Sequence, residues 1–273
     1  MIEASDEQSH TSAGRIPRVL HQIYLSGDLP PQLHRTVAEL KAANPGWEHR
    51  LYDAARAEAF IAAHYGPDML ATYLRLNPDY GAARADFLRY LIMYEEGGVY
   101  LDIKSRFVRP IDDAILPGDS LVLSQWRNGP GEPHEGWGLH HDIAHVPGGE
   151  YQNFHIIAAP GHPVLKAAID QVVSNIRSYR PWSAVGRTGV QRTTGPIAYT
   201  HAVLKAQGLA PVRKVANETL LGIEVSPPGY DHSATFRRHY SVQTSPVVLM
   251  GRAPTLLSAG FVHLRRIKAA LKH

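Results

Sequence analysis

Two pairs of charged residues carry most of the chemistry legible in this 273-residue sequence: Asp86 with Arg89, three apart, and Asp102 with Lys104, two apart. Carboxylates so placed accept hydrogen bonds from hydroxyl groups or hold a hard cation, and cationic side chains offset the charge of a phosphate. The elements that must position them follow from the local pattern. Ala83, Phe87, Tyr90, Leu91 and Tyr94 recur at helical spacing and form one apolar stripe, with Asp86 and Arg89 together on its flank. Asp79, after Pro78, is placed to cap that helix through its carboxylate. Gly97-Gly98 supplies the left-handed turn that ends it, and Val99-Tyr100-Leu101 reads as a short interior strand with Asp102 emerging at its carboxyl end. An α/β sheet commonly keeps its ligand at that edge.

Each residue also has a plainer reading. Asp102 can pair with Arg84, Arg89 or Arg106, and Asp86 with Arg89 can be a helical ion pair worth ~0.3 kcal/mol on a surface. Neither explains why both carboxylates flank one turn, where an unpaired buried charge is costly.

The run ADFLRYLIMYEEGGVYLDIKS resembles the core of the glycosyltransferase family 32 sugar-binding region, the DXD group that includes fungal α-1,6-mannosyltransferases and bacterial capsular polysaccharide enzymes. More distantly it is similar to the glucosylating domain of large clostridial toxins. Residues 16–24 (IPRVLHQIY) resemble the family's opening strand, and Asn44-Pro45-Gly46-Trp47-Glu48 to Tyr52-Asp53 its second. Asn153, the run Ala159-Pro160-Gly161-His162-Pro163, and Thr194-Gly195-Pro196 resemble its downstream landmarks, so the likeness spans about residues 15–205. It implies a GT-A-like nucleotide-diphospho-sugar transferase fold, an α/β architecture with a single mixed central sheet flanked by helices. It also implies transfer of a hexose from a UDP- or GDP-sugar to a hydroxyl of a glycan, polysaccharide or lipid-linked acceptor, with retention. Nucleotide-sugar contacts are then expected from Gln22, Tyr24, Asp86, Arg89, Tyr100, Asp102, Lys104 and Asn153, and a metal contact from Asp102.

The chain departs from the family motif at Lys104, where a second aspartate is usual. A lysine there removes a hard oxygen ligand for Mn²⁺ or Mg²⁺ and repels the ion, or it offsets the diphosphate directly. On a strand Lys104 shares a face with Asp102, so its charge bears on the same site. A noncatalytic sugar-nucleotide-binding or partner-binding protein with a degenerate motif is the alternative this substitution raises.

Around this centre, strand and helix patterns alternate. Strands are expected at 18–25, 49–52, 120–124, 154–158, 220–225 and 246–250, and helices at 31–43, 54–63, 67–76 and 163–178. Gln22 and Tyr24 end the first strand, whereas His21 reads as a core residue. Arg187, Arg192 and Thr194 precede a helix start at Gly195-Pro196, which suits a phosphate or sugar hydroxyl, or in which Thr194 or Gly195 is simply the cap. Residues 128–151 hold His134, Glu135, His140, His141, Asp142 and His145, but Gly136 and Gly138 argue against the helix a zinc protease requires. A loop is the expectation, either over the site, with Trp126, Trp137 or Tyr151 available to stack on a ring, or a plain surface loop.

Composition fits a globular enzyme, with 44% hydrophobic residues, no cysteine and hence no disulfide, and a net charge of +3 that argues against a nucleic-acid surface. The expected organisation is a disordered lead at 1–14 and one domain at 15–273, with a donor-site core to about 125, an acceptor or lid region at about 126–205 and a less defined remainder. Residues 1–14 lack a signal peptide's apolar core and no apolar run reaches the roughly 20 residues of a membrane helix, so a cytoplasmic location is expected. The basic tail at 263–272 has Leu264, Ile267 and Leu271 at helical spacing, which fits either a packed terminal helix or peripheral contact with an anionic membrane.

Overall fold

Strand β1 (Val19–Ile23) pairs in parallel with β2 (Glu48–Tyr52) on one side and β3 (Gly98–Leu101) on the other, which begins a six-stranded sheet. The computed structural model describes residues 14–227 and 243–270; the expected lead, Gly14 apart, and Leu271 of the tail lie outside the described residues. A two-residue strand β4 (Arg106–Phe107) leaves the sheet, β5 (Leu121–Gln125) and β6 (His155–Ala158) return to it, and β7 (Arg213–Asn217) forms its far edge. The order is β2-β1-β3-β6-β5-β7, with β6 alone antiparallel to its neighbours, while β4 pairs with β8 (Ile223–Glu224) in a separate ribbon.

The interior position of β3 follows from its residues. Val99, Tyr100 and Leu101 are fully buried, at about 1.5–3 kcal/mol per large apolar side chain relative to exposure. Alternation sends Tyr100 into the cluster with Phe87, Leu91 and Ile156, and sends Val99 and Leu101 into that with Leu20, Trp47 and Ile157. Gly98 has φ +95°, and a Cβ there would stand 2.4 Å from the Val19 carbonyl oxygen, so β1 and β3 approach this closely only because the residue is glycine. His21 joins the same turn: it is buried and its ring Nε2 lies 3.0 Å from the Gly97 carbonyl, to which it donates, and burial pushes its pKa down to about 4. This is the core role its strand position suggested.

Helices α1 (Pro31–Ala43) and α2 (Ala54–Leu74) follow β1 and β2; α2 is broken at Gly66, φ +76°, just before Pro67, as the two expected helices require. α3 (Gly81–Glu95) leads into β3, and α4 (Pro163–Ser178) into α5 (Gly186–Thr193) and α6 (Pro196–Lys205). α2, α4 and α5 all pack against α3. Its expected one-sided stripe is therefore corrected: Asp86 and Arg89 are as buried as the apolar face, at 6% and 5% exposure. The cap is corrected as well. α3 starts at Gly81 with Tyr80, not Asp79, at the N-cap position and no side-chain cap, and the Asp79 N–H donates to Asn77 Oδ1 in an Asx-type turn.

Beyond residue 208 the expected strands shrink. Residues 218–221 form a 3₁₀ turn before β8, and in 246–250 only Val248 bridges, to Leu76. The last described element is α7 (Arg252–Ala270).

Candidate functional site at the end of strand β3

The site is built where α3 runs past the carboxyl end of β3. Asp102 stands just past the end of β3, and its backbone N–H donates to Phe154 O just before β6, which extends the contact of the two strands by one residue. Tyr100 Oη donates to Asp102 Oδ1 at 2.8 Å, and Arg89 Nη2 lies 3.2 Å from the same oxygen. Arg89 Nη2 is also 3.1 Å from Asp86 Oδ1, Nη1 donates to Asn153 O at 2.5 Å, and the guanidinium sits over the Tyr100 ring, 4.5 Å from its centroid. Arg89 thus joins both carboxylates, which realises the plain ion-pair reading and explains why both flank one turn. Arg84 and Arg106 are directed elsewhere, to Leu76 O and Glu224.

Asp86 is held from three sides. Besides Arg89, Asn153 Nδ2 donates to Oδ1 at 3.2 Å and Thr194 Oγ1 to Oδ2 at 3.1 Å. The Thr194 hydroxyl therefore serves Asp86, and Gly195 caps α6 without a side chain. Burial pushes the Asp86 pKa up to about 6; Arg89 pulls against this and the Asp102 charge adds to it. The carboxylate is still mostly ionised at neutral pH. Tyr90 and Tyr100 are raised well above 10 by burial, so both phenols remain donors.

These groups border a cleft of about 990 Å³, the upper end of what small-molecule sites occupy. Tyr24, Asp86, Arg89, Tyr100, Asp102, Lys104 and Asn153 all line it. Gln22 does not: its side chain is buried and its Oε1 meets His49 Nε2 at 2.9 Å. Lys104 is half-buried; burial lowers its pKa, with Asp102 opposing and Arg89 reinforcing the shift. Arg187 and Arg192 stand outside the lining, Arg192 paired with Asp142 at 3.0 Å, although Val190, Gln191 and Pro196 reach it.

A resident divalent cation is tested by the donor set. Asp102 brings one carboxylate whose Oδ1 already meets Tyr100 and Arg89, and a lysine occupies the second motif position. Among the described residues no three His, Cys, Asp or Glu side chains gather as a metal site. These residues do not fit a metal held by the protein. The Lys104 ammonium at the cleft instead suits an anion.

The loop expected over the site lines it through Trp126, Trp137 and Glu150, whereas Tyr151 is buried away from it. It is tightly folded: Asn128 Nδ2 donates to Trp137 O and Gly148 O, and Trp126 stacks on Phe154 with centroids 5.4 Å apart. Glu150 lines the cleft and Tyr90 hydrogen-bonds Asn153 beside it, and neither is among the residues that the sequence singles out for the site. Glu150 accepts from Trp126 Nε1 and from His140 Nε2, each at 2.7 Å, and Tyr90 Oη accepts from Asn153 and donates to Thr194 O. Tyr90 lies four residues after Asp86, a spacing that signals a shared face as well as a core position.

Residues 30–122 match the family described as glycosyltransferase sugar-binding region containing DXD motif. This span holds Asp86, Arg89, Asp102 and Lys104 but neither Tyr24 nor Asn153. The chain is 26% identical over 175 residues to inositol phosphoceramide mannosyltransferase 1 of Schizosaccharomyces pombe, covering 62% of this chain and 47% of that protein. It is 32% identical over 88 residues to the initiation-specific alpha-1,6-mannosyltransferase of Candida albicans, covering 32% and 22%. The chain thus spans less than half the length of these curated relatives. The UDP-bound glycosyltransferase domain from the YGT toxin superposes with a TM-score of 0.50 at 10% identity, over 77% of this chain and 83% of that one, which shows a shared GT-A fold. The Asp86–Arg89–Asp102 cluster thus falls within the segment, residues 30–122, that matches a glycosyltransferase sugar-binding region containing a DXD motif.

Proposed function

We propose that the protein transfers a hexose from a nucleoside diphosphate sugar to a hydroxyl acceptor, with retention at the anomeric carbon. The observation that carries this reading is the arginine-bridged pair of carboxylates, Asp86 and Asp102, facing a nucleotide-sized cleft at the end of β3. The names of the yeast relatives favour a mannosyl donor, and that of the toxin domain is compatible with UDP.

Each residue has a place in that chemistry. Asp102, oriented by Tyr100, accepts hydrogen bonds from the ribose, and Asp86 accepts one from a donor-sugar hydroxyl. Arg89 directs its fork into the protein and acts as a positioning residue for both carboxylates rather than as a donor contact. Charge gathers on the departing diphosphate as the glycosidic bond breaks, so positive charge must already stand there; Lys104, half-buried in the cleft, supplies it. Tyr24 and Gln22, at the end of β1, are assigned to the base, Gln22 through its backbone. Asn153 keeps Asp86 and Tyr90 in register. Glu150, fixed by Trp126 and His140, is assigned to an acceptor hydroxyl. No protein nucleophile is assigned.

The test is release of free nucleoside diphosphate from a panel of UDP- and GDP-hexoses, followed by chromatography, with Asp102→Ala as control. Release by the native chain that is lost in Asp102→Ala supports the proposal. Failure to bind or hydrolyse any of them overturns it, and binding without turnover under all metal conditions supports the noncatalytic reading that Lys104 favours.

A further inference from the structure

The C-terminal helix carries a surface that the cleft does not use. α7 attaches to the body along a narrow face: Ser258 is buried, Pro254 and Val262 are half-buried, and Arg265 Nη2 donates to Trp182 O at 2.6 Å. At roughly 100° per residue these four positions share one side of the helix. The opposite arc holds Ala253, Leu256, Leu257, Gly260, Leu264 and Ile267. Leu256 is 75% exposed and Leu264 62%, and Leu257 and Ile267 are exposed as well. An ordinary surface helix turns its apolar stripe inward, whereas α7 turns it to solvent. Phe261 and Trp182, both exposed and in edge-to-face contact at 6.2 Å, extend the apolar surface at the flank.

Charge selects the occupant. Besides Arg265, which is turned to the body, residues 252–273 contain Arg252, Arg266, Lys268 and Lys272 and no aspartate or glutamate. Protein interfaces deplete lysine at their cores, whereas an anionic bilayer rewards it, each basic residue near the surface strengthening binding about fivefold. Among the described residues no helix is long and apolar enough to cross a membrane.

We propose that α7 docks on an anionic lipid surface, inserting the face of Leu256, Leu257, Leu264 and Ile267 into the headgroup boundary. The segment that leads into it is tied to the cleft rim: Tyr80 Oη donates to Ser245 O at 2.6 Å, Asn77 Nδ2 to Pro246 O at 3.0 Å, and Leu249 N to Arg75 O at 2.7 Å. Pro78, Asp79 and Gly81 beside these contacts line the cleft. A docked α7 therefore fixes the cleft rim relative to the membrane plane. This proposal stands independently of the assigned activity.

Co-sedimentation of the full chain with phosphatidylcholine vesicles and with phosphatidylcholine–phosphatidylglycerol vesicles tests it. Binding is expected only with phosphatidylglycerol, weakening with added salt. The double variant Leu257→Ser, Leu264→Ser should bind about tenfold or more weakly at an unchanged melting temperature, because both side chains are exposed. Should that pair fail to fold, Ile267→Ser on the same arc replaces it. Equal binding to both vesicles, binding to neither, or binding insensitive to these substitutions overturns the proposal. So does a dimer in light scattering that dissociates in the double variant while vesicle binding is absent, which assigns the face to a second copy.

Discussion

Replacing Arg89 with methionine keeps the bulk of the stem but removes the cation that joins Asp86 and Asp102. In the native chain Arg89 Nη2 stands 3.1 Å from one carboxylate and 3.2 Å from the other, in a site where Asp86 and Arg89 are almost wholly buried. Breaking a buried pair by removing one partner costs about 3–5 kcal/mol, because the remaining charge is left uncompensated. The Asn153 carbonyl also loses its 2.5 Å donor. Burial already pushes the Asp86 pKa up while Arg89 pulls against it, so losing Arg89 raises the cost of keeping this carboxylate ionised. Adding Asp86→Asn to Arg89→Met removes the charge that no longer has a partner and should recover about 1–3 kcal/mol, the coupling expected of contacting residues. Urea denaturation of the four proteins of this cycle at pH 7.5 gives both numbers. A loss below about 1 kcal/mol for Arg89→Met, or a further loss rather than recovery in the double variant, refutes the hub role of Arg89.

Other outcomes follow from neighbouring features. Lys104→Asp restores the second carboxylate: metal-free nucleoside diphosphate binding should weaken about tenfold or more, and Mn²⁺ should now strengthen it, both readable by calorimetry; no change with or without metal contradicts the assignment of Lys104 to the diphosphate. Gly98→Ala should cost at least ~2 kcal/mol in urea denaturation, because a Cβ at positive φ meets the Val19 carbonyl oxygen at 2.4 Å; a neutral effect contradicts the close approach of β1 and β3. Burial pushes His21 and His49 down to about 4 and His155 to about 3, below the unfolded value of 6.5. Their stabilising contribution is complete above about 6.5 and is lost as pH falls through 4, so the melting temperature should drop across that window and His155→Gln should flatten the slope. Asp86 acts with the opposite sign: its folded value of about 6 exceeds the unfolded 3.8, so its contribution is present below about 3.8 and lost as pH rises through 6. One such group against three histidines leaves a net acid loss, and a flat profile between pH 7 and 4 contradicts the burial described.

The sequence reading found α1 and α4 at their observed bounds, because each begins with a proline at its first turn and continues with strong amphipathic spacing. It also brought Asp86, Arg89 and Asp102 together, since the glycine stop and the four-residue strand leave the chain little freedom between them. What it passed over lacked periodic signal. α5, with the sequence GRTGVQRT, has two glycines and few apolar residues, and its place is set by packing on α6 and α4. β7 reads RKVAN, polar and half-exposed as an edge strand, and β4 and β8 are two residues each. Glu150 joins the cleft only through the fold of its loop, in which Gly149 passes so near Gly138 that a Cβ would lie 2.5 Å from its carbonyl oxygen. The burial of the Asp86 flank was hidden for a similar reason, because three helices cover α3 and none of their contacts shows in its own spacing.

Isothermal titration of UDP- and GDP-hexoses into the native chain and into Asp102→Asn tests the donor-site assignment most directly. The account predicts saturable binding of at least one of them by the native chain, and a loss of about tenfold or more in the variant, where an acceptor of ribose hydrogen bonds has lost its charge. No binding to the native chain, or equal binding by both proteins, contradicts it.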